Sequence, residues 1–508
     1  MKLSEGATGE GKPTRSRARL SKGIIVAVGM VLVESLTYYA SHRRRSTKAR
    51  PRPRPSGTGA TSIEGPVMDS AARSREVLTS TNSRDDPERG ETPAPAFRPR
   101  TPLVAAIFVS VFVVLAESVT YYSLIHHQSG AFSDLLGRAA NFKSLKYGGN
   151  IYAHFDFEAF TYPPGAILLL CPLVLVPLRW LAATWTIATL GALWAALAIV
   201  TRRLVTSSDA RALLIAAAVT AISPLAFPSV YDTVFWGQIA TFLTLAVVAD
   251  FLLVHGPLQG VLVGLATTLK VYPGVFIVLW LVRRQYRQAL TAIATVVLTT
   301  LVATGLWYSS SYSFFKDKLL GNQEIGHLSN GFEAQASSSI PALFLRPPYF
   351  FGHFTTAQAI AVAAVVALLG IAASYGAALR GHELTALTIG LVISIICSPV
   401  AWNHYFAFVP LLLFLPFEIG WRSWTARAAL FACAVNAWPW HRWKLAGANQ
   451  VLLTHHQLYL SYVAQNATLV SMLLIVLVGA WEFWPPALSL VSRSRHPSLA
   501  PTELTRVA

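Results

Sequence analysis

Charge is what this sequence has least of. Only 13% of its 508 residues are Asp, Glu, Lys or Arg, about half the share usual in soluble domains. Acids are the scarcer sign, and the net charge is +17. The shortage is uneven. Residues 1–100 hold 19 Lys/Arg and 10 Asp/Glu, which leaves 22 and 14 for the other 408 positions. No water-soluble domain of that size could cover its surface so sparsely, so a soluble enzyme and a fibrous protein are excluded. Cysteine is nearly absent too. Cys171, Cys397 and Cys433 each sit in an apolar run, which excludes a disulfide framework and a zinc site. No P-loop, GxGxxG, HExxH, CxxC pair or Gly-x-Ser-x-Gly element stands in usable context. What is abundant is apolar: 54% of residues are hydrophobic and mean hydropathy is +0.48. A multi-span membrane protein is what remains.

The first hundred residues form an N-terminal extension unlike the rest. Segment 23–40 is apolar and near the lower length limit for a spanning helix. Residues 46–100 are rich in Pro, Ser, Thr and Arg and read as a disordered basic linker. VESLTYY around Glu34 is echoed by AESVTYY around Glu117. The echo fits an added first helix, and equally a duplicated N-terminus whose second copy opens the true domain near Thr101. Anionic lipid headgroups are the nearer partner for such a basic stretch, and no nucleic-acid partner is expected. Residues 486–508 read as a disordered cytoplasmic tail.

Between them, residues 101–485 carry apolar runs of helical length at 103–125, 165–178, 181–201, 211–227, 234–254, 258–282, 288–307, 356–379, 385–403, 404–420, 426–440 and 461–484. Backbone groups in hydrocarbon must be satisfied within the segment, so these predict helices. The expected fold is all-α, a polytopic bundle with about 11–13 transmembrane or re-entrant helices. Pro172 and Pro177 interrupt one run and Pro273 another, and the 165–178 run is short enough to be re-entrant. Arginines at 283, 284, 287, 380, 422, 427, 493 and 495 mark one side as cytoplasmic. The long loops 126–162 and 308–355, and the segment 441–460, then lie on the other side.

Those loops hold most of the remaining polar groups. FSDLLGRAANFKSL has apolar residues at helical spacing and predicts an interfacial amphipathic helix with Asp134 near its start. From spacing alone Asp134 fits a helix cap as well as a reactive carboxylate. Asp156 and Glu158 form a second acidic pair, readable as a metal or substrate contact or as solvated loop charge. Lys270 stands inside an apolar stretch, where a charge costs about 2.5–3.5 kcal/mol and normally finds a partner. An anionic lipid phosphate is one partner, and snorkelling to the interface is the alternative. Tyr162, Asp232, Gln238 and His404 are further polar points near membrane ends. Asn322 and Ser337–Ser339 offer neutral hydrogen-bonding groups in the second loop.

In order, FSDLLGRAANFKSLKYGGNIY, TYPPGAILLLCPLVLVP, WGQIATFLTLAVVADFLL, GLATTLKVYPGVFIVLWLVRR and SPVAWNHYFAFVPLL resemble the bacterial membrane glycosyltransferases of family 87 in the GT-C superfamily. The resemblance spans about residues 101–485. It implies an inverting transferase of the bacterial inner membrane with an extracytoplasmic active site. The donor would be a polyprenyl-phosphate sugar, mannose favoured, and the acceptor a glycolipid or envelope glycan. No cofactor or metal is implied. Asp134 matches the family's first-loop aspartate, its general base. Lys270 matches the lysine of a K-x-x-P element and is read as a donor-phosphate contact. His404 matches a motif histidine usually preceded by an acid, whereas Asn403 stands there in this chain. Tyr162, Gln238, Asn322, Asp156 and Glu158 complete the expected substrate-binding set. The rival from another class is a transporter or flippase, which would show symmetry-related halves, and no such repeat is visible beyond the short N-terminal echo.

Overall fold

A computed structural model describes residues 101–145, 149–152, 160–205, 208–319, 337–345, 352–438 and 455–484. The expected helix 23–40, the linker 46–100, the tail 486–508, and Asp156, Glu158 and Asn322 lie outside those residues.

The apolar runs from residue 101 onward are mainly helical over their described residues, and no strand occurs among the described residues. Six helices are long and apolar enough to cross a bilayer: Pro102–Ile125, Leu178–Leu204, Asp209–Ala226, Tyr286–Leu306, Thr356–Leu379 and Asn466–Phe483. A seventh candidate is the bent pair Pro228–Phe235 and Ala240–Leu252, which meet at 114°. Shorter apolar helices account for the other runs, so the protein is a multi-pass membrane protein by helix composition. Element names follow chain order: α1 Thr101–Ile125, α2 Ser133–Leu145, α3 Pro164–Leu170, α4 Leu178–Leu204, α5 Asp209–Ala226, α6 Pro228–Phe235, α7 Ala240–Leu252, α8 Val261–Leu269, α9 Val275–Val282 and α10 Tyr286–Leu306. They continue with α11 Thr356–Leu379, α12 Glu383–Ile396, α13 Trp424–Ala437 and α14 His455–Phe483.

Hydrogen bonds sort the helix ends into two groups. At one end lie the arginine loops. Arg203 donates to the Leu252 carbonyl at 3.4 Å and Gln288 to Gln259 at 3.2 Å. Arg283 grips Glu383 through two bonds of 3.0 and 2.6 Å, and Arg380 donates to the Glu482 carbonyl at 2.6 Å. Acids from other helices close the orphan N–H groups of three helix starts here. Asp250 accepts from the amides of Gly260 and Val263 at 2.8 and 2.7 Å. Glu418 accepts from Leu384 and Thr385 at 2.8 and 2.7 Å, and Glu482 from Thr425 at 2.8 Å. A buried N–H left without a partner costs about 1–3 kcal/mol, which is why scarce acids are placed here. The other end gathers the long loops. Tyr231 donates to Gln128 at 3.3 Å, Asn150 to Ser313 at 2.7 Å, and the Ala401 amide to Ser337 at 2.9 Å.

This sorting settles two interrupted runs. The stretch Pro164–Leu175 is α3 followed by a 3-10 turn, roughly 20 Å long against a ~30 Å hydrocarbon core. It leaves Tyr162 at the loop end and its 3-10 turn packs back on α2 there, so it is re-entrant. Helix α4 is then the full crossing between residues 163 and 204, and Arg202 and Arg203 stand in its last turn at the arginine end. The 258–282 run is a hairpin. Helix α8 starts at the arginine end, the chain turns at Lys270–Gly274, and α9 returns to Arg283. Nine residues of α8 carry the turn about 13 Å away from the arginine end.

Candidate functional site

The site is built where α2, the α6–α7 bend, the α8–α9 turn and residues 403–408 converge at the loop end. Helix α2 forms from the expected amphipathic segment, but it does more than rest on an interface. Leu135, Ala139 and Phe142 are buried in a cluster with Phe160, Tyr162 and Ile167, each large side chain contributing about 1.5–3 kcal/mol. This burial fixes the face that carries Asp134 and, one turn on, Arg138. Asp134 lies inside the first turn, where the helix dipole favours an anion. Its carboxylate faces Gln238, not its own helix start.

Gln238 sits in the bend between α6 and α7. The bend needs Gly237, whose φ is +67° and whose Cβ, if present, would meet Leu135 Cβ at 2.5 Å. The Phe132 amide donates to the Phe235 carbonyl at 2.6 Å, and Arg138 donates to the Gly237 carbonyl at 2.9 Å. The start of α2 is thereby tied to the bend. The buried Gln238 amide then donates to Asp134 Oδ2, while its carbonyl accepts from the Tyr162 hydroxyl at 3.4 Å. Two bonds of opposite sense set the orientation of the amide.

Tyr162 is the centre of the arrangement. Its carbonyl accepts from Tyr152 Oη at 2.6 Å. The Arg138 guanidinium lies 5.0 Å from its ring centroid and Lys270 Nζ 5.4 Å. Burial pushes the Tyr162 hydroxyl up to about 12, so it stays a donor at working pH. Lys270 ends α8 in extended conformation, and its ammonium also lies 3.8 Å from the Tyr405 ring centroid. Asp134, Arg138 and Lys270 are within electrostatic range of one another. Two cations thus face one carboxylate around a single aromatic ring, an arrangement suited to an anionic group beside a base. His404 is 7% exposed, its Nε2 has no hydrogen-bond partner, and it lies within range of Lys270 and Arg138. Asn403, in front of it, donates to Asp232 Oδ2 at 2.6 Å.

Of the residues singled out in the sequence, Asp134, Tyr162, Gln238, Lys270 and His404 come together. Ser337–Ser339 do not line the site. They are buried and brace residues 399–401, with Ser339 donating to the Pro399 carbonyl at 3.0 Å. Arg138 and Tyr405 were not foreseen. The one available signal was the Asp134–Arg138 spacing on a helix, which reads as an ordinary surface pair; here Nη2 and Oδ2 are 3.7 Å apart and Arg138 is buried. Among the described residues, no group of three or more His, Cys, Asp or Glu side chains could hold a metal ion.

The model of glycosyltransferase family 87 matches residues 160–399. A polyprenol-phosphate-mannose-dependent alpha-(1-2)-phosphatidylinositol pentamannoside mannosyltransferase of Mycobacterium tuberculosis (strain CDC 1551 / Oshkosh) is 30% identical over 368 residues, covering 70% of this chain and 81% of the relative. The chain belongs to glycosyltransferase family 87. Two further members are polyprenol-phosphate-mannose-dependent alpha-(1-2)-phosphatidylinositol mannoside mannosyltransferases. The one from Mycobacterium tuberculosis (strain ATCC 25618 / H37Rv) is 27% identical over 322 residues, 61% of this chain and 73% of its own length. That from Mycolicibacterium smegmatis (strain ATCC 700084 / mc(2)155) is 28% identical over 327 residues, 58% and 73%. No solved structure matches the chain. Within family 87 this protein is a membrane glycosyltransferase, and the match from 160 to 399 takes in Tyr162, Gln238 and Lys270, with Asp134 and His404 flanking it.

Proposed function

We propose that this family 87 glycosyltransferase moves a sugar, mannose favoured, from a polyprenyl-phosphate donor to a glycolipid or envelope-glycan acceptor. The reaction occurs at the loop end, taken as the extracytoplasmic face of the bacterial inner membrane; the arginines gathered at the opposite end support that orientation. The catalytic domain is residues 101–485. The observation that carries this reading is that the Asp134 carboxylate and the Lys270 ammonium converge on Tyr162 in one site.

An inverting transfer needs one base to take the proton of the acceptor hydroxyl as it attacks from the face opposite the leaving group. Asp134 is that base, and its partly exposed carboxylate is held by Gln238. The leaving group is a phosphate anion that needs little protonation, so one carboxylate serves where a glycosidase uses two. Lys270, assisted by Arg138, offsets the charge that builds on the phosphate. Tyr162 and His404 complete the lining; Asn322, Asp156 and Glu158 remain candidates for holding sugar from the outer loops. The relatives named above form alpha linkages, and inversion gives that product from a β-configured donor.

Incubating membranes containing the protein with radiolabelled β-configured polyprenyl-phosphate-mannose tests the proposal. Label appearing in lipid or envelope glycan supports it. Facilitated movement of the donor without transfer would instead support a flippase.

A further inference from the structure

The re-entrant helix α3 and the hairpin leg α8 pack together beside both arms of the site. Gly165 stands in the first turn of α3, three residues past Tyr162, and Thr268 in the last turn of α8, two residues before Lys270. Both are buried. No side chain fits at position 165. A Cβ there would collide with Thr268 Cγ2 and lie 3.3 Å from Thr299 Oγ1 on α10.

Thr268 has little freedom to step aside. Its branched side chain is stiff at χ1, and its hydroxyl donates to the Gly264 carbonyl at 3.0 Å and lies 2.9 Å from the Thr299 hydroxyl. One turn back, α8 is seated on α10 just as closely. A Cβ at Gly264 would meet Thr295 Cβ at 2.6 Å and the Ala292 carbonyl oxygen at 2.7 Å. On the α3 side, Pro163 and Pro164 fix φ between Tyr162 and Gly165. The Pro163 carbonyl also accepts from the Ala166 amide at 2.9 Å. A shift of α3 at Gly165 is therefore passed to Tyr162, since the two prolines between them cannot absorb it.

We propose that Gly165 is a positioning residue for transfer. Its missing side chain sets how closely α3 approaches α8, and so holds the Tyr162 ring 5.4 Å from the Lys270 ammonium. This rests on the transfer reading given above, in which Lys270 meets the donor phosphate. Gly165 acts through Tyr162 on one chain segment and through Thr268 and Lys270 on the other. A methyl group at 165 parts the two arms, and the donor phosphate then meets an ammonium displaced from the rest of the site. Misplacements of about 1 Å can cost as much as a hundredfold in rate.

The test uses the full chain in proteoliposomes, with steady-state transfer from polyprenyl-phosphate-mannose and the thermal midpoint read on each variant. Gly165→Ala should raise donor KM by about tenfold. Adding Thr268→Ser deletes the methyl that the new Cβ meets and keeps the hydroxyl. The double variant should return donor KM to within about threefold of Thr268→Ser alone. A glycine that served packing only would lower the thermal midpoint and leave KM where it was, because KM does not depend on how much protein folds. If Gly165→Ala does not fold, Thr268→Val reads the same junction from the other side. It adds no bulk and cuts the link to Thr299, whose hydroxyl keeps its bond to the Thr295 carbonyl. Donor KM should then rise by about threefold or more, with the midpoint near wild type. An unchanged donor KM in folded Gly165→Ala, or in Thr268→Val where Gly165→Ala does not fold, overturns the proposal. So does a double variant no better than Gly165→Ala. If the wild type transfers no sugar from this donor and matches Asp134→Asn, the transfer reading itself falls, and this proposal with it.

Discussion

The side-chain amide of Gln238 donates to the carboxylate of Asp134 across 104 positions of sequence, joining the first outer loop to the bend in the α6–α7 pair. That bond turns a helix-start acid into an aimed one. An acid that only capped α2 would satisfy its own backbone, and replacing it would cost stability before activity.

Asp134→Asn should therefore lower kcat by about a hundred- to ten-thousandfold while expression and thermal midpoint stay near wild type. Near-normal transfer in membranes carrying the variant would remove Asp134 from the mechanism.

Gln238→Leu keeps the volume and deletes both amide bonds. The expected result is a fall in kcat of about tenfold with donor KM little changed, since the base loses its orientation and not its charge. Steady-state transfer assays separate the two constants; a rise in KM alone would make Gln238 a substrate contact instead.

Lys270→Ala should raise donor KM by about ten- to hundredfold and lower kcat as well, because in the proposed mechanism the ammonium serves both the bound phosphate and the departing one. Lys270→Arg retains charge but changes the fit against Tyr405, and intermediate values are expected. An unchanged donor KM in Lys270→Ala would place the phosphate elsewhere.

Tyr162→Phe gives a pH-dependent check. With the wild-type hydroxyl pushed up to about 12, it remains protonated through the neutral and moderately alkaline range. Wild type and variant should share the shape of the alkaline limb of the pH–rate profile, differing only in height. A limb that disappears in the variant would mean that Tyr162 ionises during turnover.

Asp250→Ala tests the other end of the molecule. It strips the amides of Gly260 and Val263 of their acceptor, and a loss of about 2–4 kcal/mol is expected. The readout is a lower thermal midpoint in detergent with donor KM unaltered at temperatures where the variant remains folded.

Much of this was legible in the sequence because polar groups stand out against a sparse background. Asp134, Gln238, Lys270 and His404 were conspicuous for that reason, and hydrocarbon forces each apolar run to be helical. What the runs could not disclose was direction. The 165–178 and 258–282 runs have the composition of spans, yet each enters and leaves at one end, and only bonds between distant residues reveal that. Arg138 was hidden because an arginine one turn after an aspartate looks like solvated charge until Leu135, Ala139 and Phe142 bury the helix face around it. Ser337–Ser339 misled for the opposite reason, since hydroxyls suited to sugar proved to brace the 399–401 backbone. The capping partners of Asp250, Glu418 and Glu482 lie on other elements, beyond any local spacing rule.

The α8–α9 hairpin has a consequence for where the enzyme works best. Both of its legs are rooted at the arginine end, so the Lys270 ammonium keeps a set height above that leaflet, like a gauge standing on a floor. If Lys270 holds the donor phosphate as proposed, a thicker bilayer carries the opposite headgroups away from it and the phosphate must sink further to be engaged. On that proposal membrane thickness, and not donor chemistry alone, controls how readily the lipid is loaded.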